Sequence, residues 1–271
     1  TEMTGMNILK SFASIFFLLL LCSCRNPDFS EREVPPSLHT PDSFVAVFAS
    51  DTEIRVYGDR ALAEYRFPPC STFKIISTLM GLDCGVIRNL DSKLGYDGTK
   101  YENENWNQDV TLQQAFQYSC VPYYKKLTGR LKKQYVQKVL DELDYGNCDI
   151  SVWNSNGHNV FWIESSLLIS PLEQIGAIRK VISGSSSFSP EHVAMLKKCM
   201  YLNPAGQWAF YGKTGTGRNH NRNLLEAWFV GFAENEKGET VYFAAHGADS
   251  RRDVSSPEIR DAVRKILENL Q

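Results

Sequence analysis

The sequence has no long block of charge of one sign. Its 271 residues carry 29 Lys and Arg against 31 Asp and Glu, a formal net charge of −2, with the two signs interleaved. A nucleic-acid-binding chain needs a basic stripe or an unusually basic balance, so that class is set aside. Histidine is scarce: the five fall at 39, 158, 192, 220 and 246, without H-E-x-x-H or any paired spacing. The seven cysteines include no C-x-x-C pair. With neither pattern present, no metal is expected. Internal repeats and low-complexity tracts are also missing, which sets solenoid and fibrous architectures aside.

An apolar run of comfortable membrane-spanning length is absent too. The longest lies in "SFASIFFLLLLCSC", preceded by Lys10 and ending at Cys24. A basic flank and a short apolar core make residues 1–24 read as a signal peptide. Leu21-Cys22-Ser23-Cys24 resembles a bacterial lipobox, with Cys24 the residue lipidated after cleavage; plain secretion by cleavage near the same place is the alternative. Either way the protein is exported, to a periplasmic or other extracytoplasmic location, and lipid on Cys24 would hold it at a membrane. The cysteines beyond this segment are Cys70, Cys84, Cys120, Cys148 and Cys199, an odd set, so at least one thiol is free. Small buried thiols are the expectation for most of them, Cys70 and Cys120 included.

What is present is ordinary globular composition, 43% hydrophobic and 22% charged, enough to build a substantial core. Residues 25–43, polar and Pro-rich, read as a tether. "FVAVFASDTEIRVYG" is two β-rich runs broken at Ser50-Asp51-Thr52, a hairpin pattern. "FPPCSTFKIISTLMGLDCG" reads as a helix entered through two prolines and stopped by Gly85. "VTLQQAFQYS", "LKKQYVQKVLDEL", "SPLEQIGAIRKVISG" and "SPEHVAMLKKCM" read as further helices, the last two opening on Ser-Pro with an acid in the first turn. Strands return in "GQWAFYGKTGTG" and in "EAWFVGFAENEKGETVYFAAHG", which turns at Lys237-Gly238, and "SPEIRDAVRKILENL" closes the chain as a helix. The economical architecture is α+β. An antiparallel sheet region (25–67 and 206–271) is flanked by helices, and a mainly helical region (68–205) is inserted. Together they make one catalytic unit with the site between them.

Ser71 and Lys74 sit three residues apart at the mouth of the apolar helix, where i and i+3 share a face. A serine in a first helical turn can use its own N–H and the helix dipole to stabilise an oxyanion. Lys74, among Phe67, Phe73, Ile75 and Ile76, can act as a base only if its ammonium is suppressed. Desolvation, repulsion from Lys213 and the positive pole of the helix all push that way. A neutral buried amine can also capture carbon dioxide as a carbamate, a carboxylate-like base. S-x-x-K or K-T-G alone is a weak signal. The ordered set is stronger: Ser71-Thr72-Phe73-Lys74, Ser119-Cys120-Val121, Tyr145-Gly146-Asn147, Trp162 in "FWIESSLLISPLEQ", then Lys213-Thr214-Gly215.

On these motifs the chain, from about Phe44 to its C-terminus, resembles the class D (OXA-type) serine β-lactamases. Ser119-Cys120-Val121 stands where class A has Ser-Asp-Asn, and no Glu-x-x-x-Asn segment is present. The resemblance implies the serine β-lactamase/penicillin-binding-protein-like fold and the following roles. Ser71 attacks the lactam carbonyl, and N-carboxylated Lys74 is the base for acylation and deacylation; no other cofactor is implied. Trp162 donates its indole N–H to the carbamate, with Phe73 and Val121 keeping it dry. Ser119 relays a proton to the lactam nitrogen. Lys213, Thr214 and Gly215 bind the substrate carboxylate with Arg260, for which Arg251 and Arg252 are rivals, and the N–H groups of Ser71 and Thr216 form the oxyanion hole. Tyr145-Gly146-Asn147 reads as a positioning turn, since Gly and Asn tolerate left-handed backbone. The expected partner is a penicillin-type antibiotic, and the implied role is antibiotic resistance. Two relatives of other function share the motifs: β-lactam sensors, which acylate and scarcely deacylate, and penicillin-binding peptidases, whose middle motif is usually Ser-x-Asn. Oligomeric state and the antibiotic spectrum, set by loops around Trp106, Ile163 and "TGRNHNRNLLE", are not legible.

Overall fold

The computed structural model describes residues 27–154, 159–218 and 223–270. The leader expected at 1–24, with Cys24, lies outside them. Three strands precede the helical region: β1 (Asp28–Arg32), β2 (Ser43–Ala49) and β3 (Glu53–Gly58). Three follow it: β4 (Ala209–Arg218), β5 (Leu225–Glu234) and β6 (Thr240–Ala248). They form one sheet in the order β1-β3-β2-β6-β5-β4. The α+β class and the two hairpins match the sequence expectation. The tether does not: part of it is β1, which pairs parallel with β3, Phe29 opposite Ile54. Its apolar content is low because it lies on the sheet edge, where solvent removes the need for an alternating pattern. Ser30 Oγ donates to Glu53 Oε1 (2.8 Å), and the Arg60 guanidinium lies over the Phe29 ring at 4.1 Å.

The helices between the strand groups are α1 (Lys74–Asp83), α2 (Leu112–Gln117), α3 (Val121–Gly129), α4 (Lys133–Leu143), α5 (Pro171–Ile182) and α6 (Pro190–Met200); α7 (Ser256–Glu268) ends the chain. Their starts follow local chemistry. Thr111 with Gln114 and Ser170 with Glu173 close reciprocal capping boxes at α2 and α5, and Ser189 and Ser255 cap α6 and α7. Helix α3 was not expected from sequence. Its buried side is Tyr123, Tyr124, Leu127 and Thr128, aromatic and hydroxyl groups that do not read as an apolar stripe.

Period-2 alternation gives each strand two apolar faces. Val45, Val47, Trp228, Val230 and Ala244 face the helical region; Phe44, Phe48, Phe229 and Phe243 face Ile259, Val263 and Ile266 of α7. Helix α1 is buried from Lys74 through Leu82, the environment expected for a helix apolar all round. It therefore runs through the core and carries Lys74 with it. Among the described residues no helix is long and apolar enough to cross a membrane.

Candidate active site

Pro68 and Pro69 deliver the chain into a 3-10 turn, Cys70–Phe73, which runs directly into α1 at Lys74. The sequence reading placed this whole stretch in one helix; its first turn is tighter. That matters chemically, because a 3-10 turn eclipses side chains at i and i+3. Lys74 Nζ consequently lies 2.7 Å from Ser71 Oγ. Thr72 pins the turn: its hydroxyl donates to the Pro69 carbonyl (2.6 Å) and accepts from Gln174 Nε2 of α5 (2.9 Å).

Lys74 is fully buried. Its Nζ lies 4.7 Å from the Trp162 ring centre and 5.3 Å from that of Tyr124. No ion pair reaches it among the described residues. Desolvation, then repulsion from Lys213, holds its pKa well below that of a free lysine. Lys213 is also buried, and burial lowers its pKa to about 7. Its Nζ lies 3.1 Å from Ser119 Oγ and 3.3 Å from Thr214 Oγ1. Ser119 reaches that position from a left-handed backbone (φ 53°) between α2 and α3, a strained conformation of the kind that collects at active sites.

Strand β4 is one of the two edges of the sheet, so part of its backbone polar groups face away from β5, and the Ser71 turn packs against it. Gly215 permits the approach: a Cβ there would stand 3.0 Å from Thr72 Cγ2 and 3.2 Å from the Pro69 carbonyl oxygen. Thr216 Oγ1 donates to Ser256 Oγ at the start of α7 (3.2 Å). Arg260 lies one helical turn beyond Ser256, on the same side, paired with Asp261. Its rival Arg252 is held by Glu258 (2.8 Å) and Asp249 (3.5 Å).

Trp162 is 1% exposed, and its indole Nε1 has no hydrogen-bond partner among the described residues. A buried N–H without an acceptor is uncommon, and this one lies beside a buried amine without a counter-charge. A carbamate on Lys74 fits both: it would bring one negative charge and acceptor oxygens to this pocket. Phe73, stacked on Trp162 at 6.2 Å, adds apolar wall; Val121 lies half-buried at the start of α3. The loop bearing Trp162 is held by the Tyr-Gly-Asn turn. Asn147 Nδ2 donates to the Ser166 carbonyl (2.8 Å), and its Oδ1 accepts from the Leu168 N–H (2.9 Å). Gly146 is left-handed (φ 62°), and a Cβ there would sit 1.9 Å from the Leu168 carbonyl oxygen.

The described cysteines are all free. Cys70 is buried behind Ser71, its thiol pushed up to about 12 by desolvation. Two features were not read from the sequence. His246 and Glu226, buried on the sheet face behind Phe67, approach to 3.8 Å, with His246 stacked on Phe67 at 3.7 Å. Glu164, two residues after Trp162, bonds across to the end of β4. Neither carries a local motif; only sheet register and loop path bring them to the site. A cleft of about 540 Å³ between the β2–β3 and β5–β6 turns includes none of the motif residues, so the chemistry, not the cavity, locates the site.

Residues 43–268 match the family model described as penicillin binding protein transpeptidase domain. The chain is 32% identical over 212 residues to beta-lactamase OXA-10 of Pseudomonas aeruginosa, covering 78% of this chain and 77% of that one. It is equally 32% identical over 213 residues to regulatory protein BlaR1 of Bacillus licheniformis, covering 79% of this chain. The chain spans only 34% of that protein's length. Among solved structures it resembles the C-terminal domain of the Bacillus licheniformis BlaR penicillin-receptor, with a TM-score of 0.77 and 26% identity over 90% of this chain and 98% of that one.

Proposed function

The chain belongs to the penicillin-binding-protein transpeptidase family and has the class D serine β-lactamase fold, and from that premise we propose that it is an exported hydrolase of penicillin-type β-lactams. The observation that carries the reading is the fully buried Lys74 amine 2.7 Å from Ser71 Oγ, its pKa held well below that of a free lysine by desolvation and then by Lys213, beside a Trp162 indole N–H with no acceptor among the described residues.

The substrate carboxylate is anchored by Lys213, Thr214 and Gly215 on β4, with Arg260 from α7. This sets the lactam carbonyl over Ser71, between the backbone N–H groups of Ser71 and Thr216, which stabilise the oxyanion. Ser71 Oγ attacks as its proton leaves toward Lys74. Ser119, joined to Lys213, passes a proton to the lactam nitrogen as the ring opens. Water then cleaves the Ser71 ester. A carbamate formed from carbon dioxide on Lys74 would supply a carboxylate-like base, and Trp162 would donate its indole N–H to it. Val121 contributes by what it lacks, an amide that could orient a peptide substrate, and as an apolar side chain it would help keep the carbamate dry. Export follows from the leader, and a lipid on Cys24 would tether the enzyme to a membrane, where it would confer β-lactam resistance.

A second reading is a β-lactam sensor domain, favoured by the likeness to the penicillin-receptor domain. The two part at the ester. Counting turnovers per protein molecule on benzylpenicillin and a chromogenic cephalosporin, with bicarbonate supplied, separates them. Many turnovers are expected; one stoichiometric burst followed by silence would replace the hydrolase with the sensor, and no burst would overturn both.

A further inference from the structure

Three segments that carry the proposed reaction converge at Gly217. The first is the turn bearing Ser71, represented by Cys70. The second is the loop bearing Trp162, represented by Glu164. The third is the end of β4, just past Thr216. A Cβ on Gly217 would lie 2.6 Å from Cys70 Sγ and 3.4 Å from both Cγ and Oε1 of Glu164. Nothing larger than glycine fits, so the junction is closed without spare volume.

Among the described residues, Glu164 is the one that bonds across this junction. Its Oε1 accepts the backbone N–H of Arg218, the last residue of β4, at 2.5 Å. Its own backbone amide acts on the Cys70 sulfur, opposing the dominant desolvation there. It does this from a left-handed backbone, φ 47°, costly for a residue with a long side chain. A glycine or asparagine would take that backbone more readily. The strain therefore calls for something that only the reach of a longer side chain provides, and the bond to Arg218 is that contact.

We propose that Glu164 is a positioning residue, a strut that sets the gap between the two oxyanion N–H donors and ties the Trp162 loop to it. The assignment rests on the hydrolase reading above. Ser71 follows Cys70, Thr216 precedes Gly217, and Trp162 precedes Glu164 by two residues. Movement at the strut therefore reaches the nucleophile, the oxyanion site and the indole donor together. It leaves Lys213 and Thr214, further down β4, where they are.

The test compares Glu164→Gly with Glu164→Gln. Glycine accepts the left-handed backbone and removes the strut; glutamine keeps an oxygen that can accept the Arg218 N–H. With benzylpenicillin, Glu164→Gly is expected to lose about 10²-fold in kcat, the cost of roughly an ångström of misplacement, with KM within about threefold and an unchanged melting temperature. Glu164→Gln is expected within about threefold of the parent in both parameters, on the same scale. Full activity in Glu164→Gly overturns the strut, as does an equal loss in both variants accompanied by lowered melting temperatures, which marks a merely structural residue. Hydrogen exchange at the Arg218 amide gives a readout independent of turnover. It is expected to be protected in the parent and in Glu164→Gln and to be exposed in Glu164→Gly. If the parent forms no acyl-enzyme, the hydrolase reading fails on that result, while an unprotected Arg218 amide in the parent removes the strut itself.

Discussion

A lysine amine buried with no carboxylate beside it destabilises a fold unless it gives up its charge. Lys74 is fully buried, and desolvation, then repulsion from Lys213, holds its pKa well below that of a free lysine, so its place in α1 works against stability, and in the proposed reaction it serves as the base. Lys74→Met, which matches the shape without the amine, is expected to lose about 10³-fold or more in penicillin turnover, within the range a general base supplies. The same variant should melt no lower than the parent, because the uncompensated amine is gone. A hydrolysis assay and a thermal scan on one preparation check both; a Met variant with normal turnover removes Lys74 from the mechanism. Trp162 is tested separately. Trp162→Phe keeps an aromatic packed on Phe73 and deletes the orphaned N–H. Its bicarbonate requirement for half-maximal activity should rise about 10-fold or more, the value of one charge-assisted hydrogen bond. An unaltered bicarbonate titration would mean that the indole N–H serves some other acceptor.

At the scale of elements, the site is made where a 3-10 turn, an edge strand and a loop touch. The turn eclipses Ser71 on Lys74, β4 supplies backbone groups not used by β5, and the loop closes Trp162 over them. The loop has no regular structure of its own and depends on Asn147, which accepts from Leu168 and Asp149 N–H groups and donates to Ser166 (2.9, 3.1 and 2.8 Å). Losing these bonds in Asn147→Ala should cost about 2–3 kcal/mol, taking about 1 kcal/mol for each. The urea midpoint would report that loss. Turnover should fall more than stability alone explains, because Trp162 is released with the loop. A variant of parental stability and activity would show that Phe161, Leu167 and Ile169, all buried, hold the loop without it.

For the whole molecule the decisive quantity is the pair of buried lysines, which ties stability to pH. Lys213 has its folded pKa lowered to about 7 from 10.5 by desolvation. Between those values the unfolded chain binds more protons than the folded one, so stability rises as pH rises through that window. Below about pH 7 both states are protonated and the full cost of burial is felt. Lys213→Met lacks this dependence. In carbon-dioxide-free buffer its stability advantage over the parent is therefore expected to be largest at pH 6 and to shrink steadily toward pH 10. Urea unfolding across that range measures it, and a difference that stays flat with pH would mean that Lys213 keeps its charge when buried.

The α+β class, both hairpins and most helix starts were legible in the sequence, because each rests on a local rule. Alternation writes strands, Ser-Pro with an acid writes helix starts, and Gly or Asn writes turns. The site motifs were legible for the same reason, being short strings with a chemical logic. Strand β1 was not, since an edge strand in solvent needs no apolar period, and α3 was not, since its buried face is tyrosine and threonine. Sequence by itself determined which groups are available: a serine and a lysine three apart at a helix mouth, a second serine, K-T-G on a strand, an indole in a loop. Only the tertiary structure decided that Lys74 is fully buried and 2.7 Å from Ser71 Oγ. It alone brought Lys213 across to Ser119, and Glu164 across to β4. The physical reason is range: propensity and capping act within a few residues, whereas desolvation and side-chain juxtaposition depend on packing partners far apart along the chain.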